Sequence, residues 1–504
     1  MSLEKVISLL KQKRNIFITG PGGTGKSWIV RQLVELYPKN FTITSSTGIS
    51  AYNLFPTAKT IHKFSGLGTR QFEDIHYTDK KLWDEYIEYT LLGMSEGKKR
   101  NIKYCGYLVI DEISMISKGF FDLMNEVFKR IKESDKPLGG MGVIITGDFL
   151  QLPSVVKRDK EADYYDDFVQ YYAFDSLAWK EINPEIVYLS EIKRSTNPEW
   201  IKMLNQVRLG FIDDEFFFKL KRSANNTIGD KATNLVAMNR KADTINEAQL
   251  EKINQPLLMI NAKWRGDKEE LKDVKAGVLA KDILKLKMGC RVMIIINERE
   301  YGDNEPEFND EGIEISSASY VNGSQGVFLG FKKRETRRDV NIVELDPITG
   351  ILKIYKGKRE FEVAVIVLDN GEHVELKRNS WNNGVKEWNK DTGVDQWQVE
   401  FSQYPIILAY SVTIHKAQGL TIPKLEIDCN GIFTTNQFYV AISRGTSFET
   451  VCVKNLREKH VNSCPRAIAF YKNITDKLGD EHTKTSQKPT PTKEQPNVEL
   501  QTNV

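Results

Sequence analysis

The stretch NIFITGPGGTGKSWIVRQLVELYP, residues 15 to 38, restricts the fold of this chain more than any other. An apolar run of strand length leads into four glycines within six positions, then into a helix-like run that Pro38 stops. The pattern GxxxxGK[ST] between a strand and a helix lets successive backbone N–H groups close around phosphate oxygens at a helix N-terminus, where the macrodipole favours negative charge. Gly20, Pro21, Gly22, Gly23, Thr24, Gly25, Lys26 and Ser27 thus form a candidate cradle for ATP or another nucleoside triphosphate. Lys26 would neutralise the β and γ oxygens and Ser27 would hold Mg2+.

A strand feeding such a loop calls for a parallel sheet covered by helices, and the first 190 residues supply one. The runs FTITS (41–45), YLVID (107–111), GVIIT (142–146) and IVYLS (186–190) alternate with helical stretches. YLVIDEIS ends in Asp111 and Glu112, at the sheet edge that faces the ligand in such folds. Asp111 would hold Mg2+ and Glu112 would orient or deprotonate the attacking water. An Asp-Glu pair by itself is more often surface charge; the strand and the preceding glycine loop reverse that. GVIITGDFLQLPSV puts Asp148 and Gln151 at a third strand end, and an amide there can sense a γ-phosphate. Without the other motifs a plain polar loop reads equally well.

The chain has 504 residues, 40% of them apolar, too many for one core. A second series predicts a second α/β domain: NLVAMN (234–239), RVMIII (291–296), IILAYSVTIH (406–415), LEIDC (425–429) and VCVKN (451–455). Both domains are interrupted. Residues 65–104, charged and aromatic without strand alternation, read as a small surface subdomain, and 319–401, short strands between Asn-Gly and similar turns, read as a small antiparallel barrel. The expected division is therefore 1–64 with 105–185, 65–104, 186–318 with 402–478, and 319–401. From Gly479 the polar, Pro/Thr/Lys-rich composition predicts a disordered tail.

Seventy-one basic against 68 acidic residues leave a net charge of only +3, so a polyanion would have to be met by local patches. The five cysteines show no CxxC spacing and the six histidines do not cluster with them, which argues reduced packing residues rather than a zinc site. No run approaches the roughly 18 apolar residues of a membrane span, and MSLEKVISLLKQKRN lacks the features of a signal peptide. The expectation is a soluble, cytoplasmic (bacterial or phage-type), non-secreted protein without a membrane partner.

The second half also carries SVTIHKAQGL (411–420), an apolar strand that ends in His415, Lys416, Gln418 and Gly419, four residues with little reason to close a core. Arg194 in LSEIKRSTNP and Arg444 in NQFYVAISRGTS follow apolar runs. An arginine reaching across a cleft to a γ-phosphate can be worth roughly 10³ to 10⁵ in rate, although a lone arginine is more often a surface residue. In the predicted barrel, KKRETRR (332–338) and KGKRE (356–360) accompany Trp381, Trp388 and Trp397. A wall over a nucleic-acid channel and a charged strand edge kept from aggregating fit them equally.

In this order, GPGGTGKS, TSSTGISAYNL with TIHKFSG, VIDEIS, GDFLQLPSV, LSEIKRS, LKMGCRVMI, VNGSQG, SVTIHKAQGLT and QFYVAISRG resemble the helicases named for petite integration frequency, the Pif-one-like branch of superfamily 1B, related to phage Dda and RecD-type helicases. The resemblance spans about residues 15 to 455. It implies two RecA-like motor domains with an SH3-like barrel inserted in the second. Lys26, Ser27, Asp111 and Glu112 would form the Mg-ATP hydrolysis set, Gln151 the γ-phosphate sensor, and Arg194 and Arg444 two fingers from the second domain. Ser46, Thr47, His62, Thr413 and His415 match segments lining a single-strand track, with Lys416, Gln418 and Gly419 where the track meets the nucleotide. The family implies 5′-to-3′ movement on single-stranded DNA and unwinding of forked DNA, G-quadruplexes and RNA-DNA hybrids in DNA repair, recombination, replication or telomere maintenance, by a chain monomeric in solution. The glutamine that reads adenine in the family has no counterpart here: its position falls near Leu3, and Gln12 is too close to the strand.

Overall fold

A computed structural model describes residues 2–37, 41–47, 50–51, 54–55, 58–68, 70–154, 172–226, 228–229, 232–276, 278–296, 320, 323–335, 340–345, 352–358, 360–382, 386–389 and 394–485. The first parallel sheet contains β1 (Ile16–Thr19), β2 (Phe41–Ser45), β3 (Lys59–Thr60), β4 (Tyr107–Asp111), β5 (Gly142–Gly147) and β6 (Glu185–Tyr188), in the order β3-β2-β4-β5-β1-β6. Its strands are nearly continuous apolar runs because both faces are covered. Val109, Ile144 and Val187 pack with Ile29, Val30 and Leu33 of the glycine-loop helix Lys26–Leu36, while Leu108, Ile110 and Ile145 face Phe121, Met124 and Phe128 of the helix Lys118–Lys132. The expected boundary after residue 185 cuts through β6, which pairs with β1 as far as Tyr188.

The second parallel sheet is smaller: Ser411–Thr413, β7 (Thr233–Val236), Leu425–Asp428 and Val451–Lys454, in that order. Two runs predicted for it lie elsewhere. Arg291–Ile294 and Ile406–Leu408 pair antiparallel with each other in a five-stranded sheet that continues through Gln325–Glu335, Glu360–Leu368 and His373–Leu376. IILAYSVTIH is therefore two strands, one in the inserted sheet and one in the second motor sheet. Lys263–Arg265 likewise joins Glu400–Gln403 and Asn379–Asn382, so the antiparallel region draws on strands beyond 319–401. Lys333 lies 3.7 Å from Glu360, and Arg334 donates to Glu375 at 2.8 Å, so this part of the basic run is neutralised at an exposed edge. Trp381 is buried; the side chains of Trp388 and Trp397 lie outside the described residues.

The segment 65–104 is helical, with Asp74–Thr78, Lys80–Leu92 and Glu96–Lys103. The C-terminal helix Pro465–Thr485 runs past Gly479, where disorder was expected; residues 486–504 lie outside the described residues. Expected in the second motor domain, this helix instead packs on the first: Ala467, Tyr471 and Ile474 join the core of Phe17, Phe149 and Trp179. Phe470 stacks on Phe174 with centroids 4.4 Å apart. All five cysteines are buried and unpaired, and among the described residues no helix is long and apolar enough to cross a membrane.

Candidate nucleotide and nucleic-acid sites

β1 delivers the chain to the glycine loop, and two glycines are required there by space as well as by φ. Gly20 has φ +147° and a Cβ would lie 2.1 Å from Leu189 O; Gly23 has φ +83° and a Cβ would lie 2.7 Å from Arg194 Cβ. Lys26 Nζ donates to the carbonyls of Gly20 and Pro21 at 2.8 and 2.9 Å, within its own loop. Burial lowers its pKa, against the raising influence of Asp148 and Glu112. Gly22 N donates to Tyr439 Oη at 2.9 Å.

Asp111 ends β4 beside this loop. Its Oδ2 is 3.4 Å from Ser27 Oγ, and its Oδ1 accepts from Glu112 N at 2.9 Å and from Thr146 Oγ1. Two hard oxygens so placed fit two corners of a Mg2+ shell, the rest of which such sites fill with water and phosphate. Among the described residues no group of three His, Cys, Asp or Glu could hold a metal alone. Glu112 has φ +55°. Burial, followed by the adjacent Asp111, raises its pKa to about 7, a value suited to a proton acceptor near neutrality.

Gln151 is buried, and its amide lies beside Gly22. Gln418 Nε2 donates to Glu112 Oε2 at 3.0 Å and to Gln151 Oε1 at 3.4 Å. Gly419 follows it with φ +85°. Arg194 donates from Nε to Thr421 Oγ1 at 3.0 Å and from Nη1 to Ser443 O at 2.7 Å. Arg444 donates to Val440 O at 2.9 Å and Ser443 Oγ at 2.8 Å. Burial first, then the Arg194 charge, brings its pKa down to about 9. Arg444 is buried and Arg194 partly so, and two guanidiniums that close are costly unless an anion joins them, which a nucleotide phosphate would do.

The residues expected on the single-strand track form two groups. Ser46 is buried, its Oγ has no partner, and its N–H donates to Asp111 O at 3.1 Å. His62 lies against the Ser46 backbone and 4.4 Å from the Phe120 ring; burial lowers its pKa. Thr47 Oγ1 accepts from Ser50 N at 3.1 Å. In the second group, Thr413 is buried at the carboxyl end of its strand, His415 is half-buried and Lys416 exposed. Partial desolvation by neighbouring atoms lowers the pKa of both His415 and Lys416.

Sequence reasoning passed over Tyr439, Arg208 and Tyr471. Arg208 forms a buried bidentate pair with Asp148, Nε to Oδ2 at 3.0 Å and Nη2 to Oδ1 at 2.8 Å. The sole local signal was an arginine closing an apolar-faced helix, in NQVRLG.

A glycine loop at the end of a parallel strand, an Asp-Glu pair at the end of another, and Arg194 and Arg444 bonded to the segment 421–443 of the second half define a two-domain P-loop nucleotide-binding protein. Residues 3–216 match the PIF1-like helicase family. The chain is 28% identical over 525 aligned positions to the ATP-dependent DNA helicase PIF1 of Candida albicans, covering 94% of this chain and 56% of that protein. The crystal structure of Pif1 helicase from Candida albicans superposes with a TM-score of 0.66 at 27% identity, covering 94% of this chain and 98% of that one. Pif1 helicase from Bacteroides in complex with ADP-AlF3 and ssDNA gives 0.59 at 25%, covering 95% and 97%. Over nearly all of its length the chain is similar to PIF1-like helicases. It spans 48 to 63% of the length of several of its curated relatives.

Proposed function

We propose that this chain is an ATP-dependent DNA helicase that moves 5′ to 3′ on single-stranded DNA and unwinds duplex and forked substrates. The observation that carries the reading is the position of Gln418. It follows Thr413, His415 and Lys416 by a few residues and bonds both Glu112 and Gln151. One short segment thus touches the hydrolysis residues and the candidate DNA track, as coupling requires. The relatives' names and a Bacteroides structure holding ADP-AlF3 and ssDNA support it.

In this reading Gly20 to Ser27 bind the phosphates, and Ser27 and Asp111 would hold Mg2+, which would supply positive charge against the phosphate oxygens. Glu112 accepts a proton from water, and Gln151 bonds the γ-phosphate while it is present. Arg194 and Arg444 meet the charge that develops on it. Ser46, Thr47 and His62 on one domain and Thr413, His415 and Lys416 on the other hold DNA phosphates without reading bases, as a sequence-tolerant motor requires. G-quadruplexes and RNA-DNA hybrids extend the same substrate class, for a monomer in an intracellular setting.

ATP hydrolysis is measured with and without single-stranded DNA, and unwinding is compared on partial duplexes with a 5′ or a 3′ tail, with Lys26→Ala as control. Stimulation and 5′ preference are expected. Absence of stimulation sinks the motor reading, and a 3′ preference sinks the polarity.

A further inference from the structure

The C-terminal helix reaches the hydrolysis residues through one hydroxyl. Tyr471 Oη lies 2.6 Å from Thr19 Oγ1 and accepts from Phe149 N at 3.1 Å. Thr19 Oγ1 gives its own proton to Gly147 O at 2.8 Å, so between the two hydroxyls Tyr471 is the donor. Both ends of the arrangement matter for the nucleotide. Thr19 is the residue before Gly20, and Phe149 is the second residue of the turn Asp148–Gln151, closed by Gln151 N donating to Asp148 O at 2.9 Å.

Arg208 braces the same turn. Its guanidinium lies 4.6 Å from the centre of the Tyr471 ring and grips both Asp148 oxygens, while Asp148 Oδ1 also takes Leu150 N at 3.1 Å. Tyr471, Arg208 and Asp148 are all buried. A charge pair removed from water is retained at a desolvation cost, and its geometric effect is to fix a four-residue turn that presents Gln151. The helix bearing Arg208, Pro198–Arg208, begins shortly after Arg194, and near its start Trp200 Nε1 donates to Gly445 O at 3.3 Å, beside Arg444. One rigid helix therefore runs from the two arginines to the sensor turn.

We propose that Tyr471, with Arg208, is a positioning residue for Gln151: the C-terminal helix sets the turn that presents the amide to the γ-phosphate. The proposal rests on the ATPase reading above and deepens it, since neither residue is a predicted site member. A merely structural role would weaken every ligand complex alike. A positioning role weakens the transition-state complex selectively, because Gln151 contacts the transferring group and not ADP.

The test uses the full chain with Mg2+ and no DNA. Tyr471→Phe keeps the ring among Phe149, Phe470 and Arg208 and removes the hydroxyl alone. Binding of ADP is expected to stay within about twofold, while binding of ADP with aluminium fluoride falls about tenfold, the scale of one well-placed hydrogen bond. Placed on Gln151→Ala, the same change should add less than about twofold, because the group it positions is gone. Thr19→Val, which removes the acceptor, is expected to reproduce the selective loss and serves if Tyr471→Phe does not fold. Equal losses for both ligands, a loss confined to ADP, no loss, or full additivity on Gln151→Ala would each overturn the proposal. DNA stimulation of hydrolysis, read in parallel, reports separately on the motor reading.

Discussion

Gln418 donates a hydrogen bond to the Glu112 carboxylate at 3.0 Å across 306 residues of sequence. The bond favours the ionised form of Glu112, which burial and Asp111 oppose. A segment from the second motor sheet thereby adjusts the basicity of a carboxylate on the first.

The acid limb of kcat/KM for ATP is accordingly expected near pH 7, rising as Glu112 ionises. In Gln418→Ala the bond is lost, the carboxylate is harder to ionise, and the limb moves to higher pH. Activity at pH 6 should fall roughly several-fold more than at pH 8.5. A pH–rate profile of both proteins checks this, and an unmoved limb would show that another group controls it.

Glu112 also predicts a stability effect of definite sign. Native Glu112 keeps its proton to about pH 7, whereas an unfolded glutamate releases it around pH 4.3. The native state thus holds more protons between those values, and parent stability falls as pH rises through that window. Glu112→Gln lacks this titration and should be more stable than the parent above pH 7, by roughly 1 to 3 kcal/mol. The gap should close below about pH 4.3. Denaturant melts of the nucleotide-free proteins at pH 4, 6 and 8 measure it.

Arg444→Lys and Arg194→Lys keep a positive charge but lose the planar fork. Each is expected to lower kcat by about 10² to 10⁴ with a much smaller change in ADP affinity, as fits groups that act on transition-state charge. A similar loss in ADP affinity and kcat would mark them as ground-state contacts.

His415→Ala should reduce DNA stimulation about tenfold while basal hydrolysis changes less than about threefold. Lys416→Ala should lower DNA affinity evenly across sequences and reduce the slope of log K against log salt by about one. Fluorescence anisotropy with unrelated oligonucleotides at several salt concentrations is the measurement.

The nucleotide half of the site was legible because its chemistry is written in consecutive residues: GPGGTGKS after a strand, and DE at the end of another. The break between Ile406–Leu408 and Ser411–Thr413 was hidden because only Ala409 and Tyr410 separate them, with no Gly or Pro to mark a change of sheet. Arg291–Ile294 is buried on both faces within an antiparallel sheet, and from Val292 it carries the unbroken apolar run expected of a parallel strand. Gly479 and the polar residues around it read as tail, yet the helix runs through them to Thr485. Tyr471 could not be found locally, since Thr19 and Phe149 lie 452 and 322 residues away.

The return of the C-terminal helix to the first core has a mechanical consequence. The chain crosses between the motor domains once after Tyr188 and again between Lys454 and Pro465. A body tied to another by a single cord can swivel in any direction. Two cords fastened at separate points narrow the set of relative movements open to the pair.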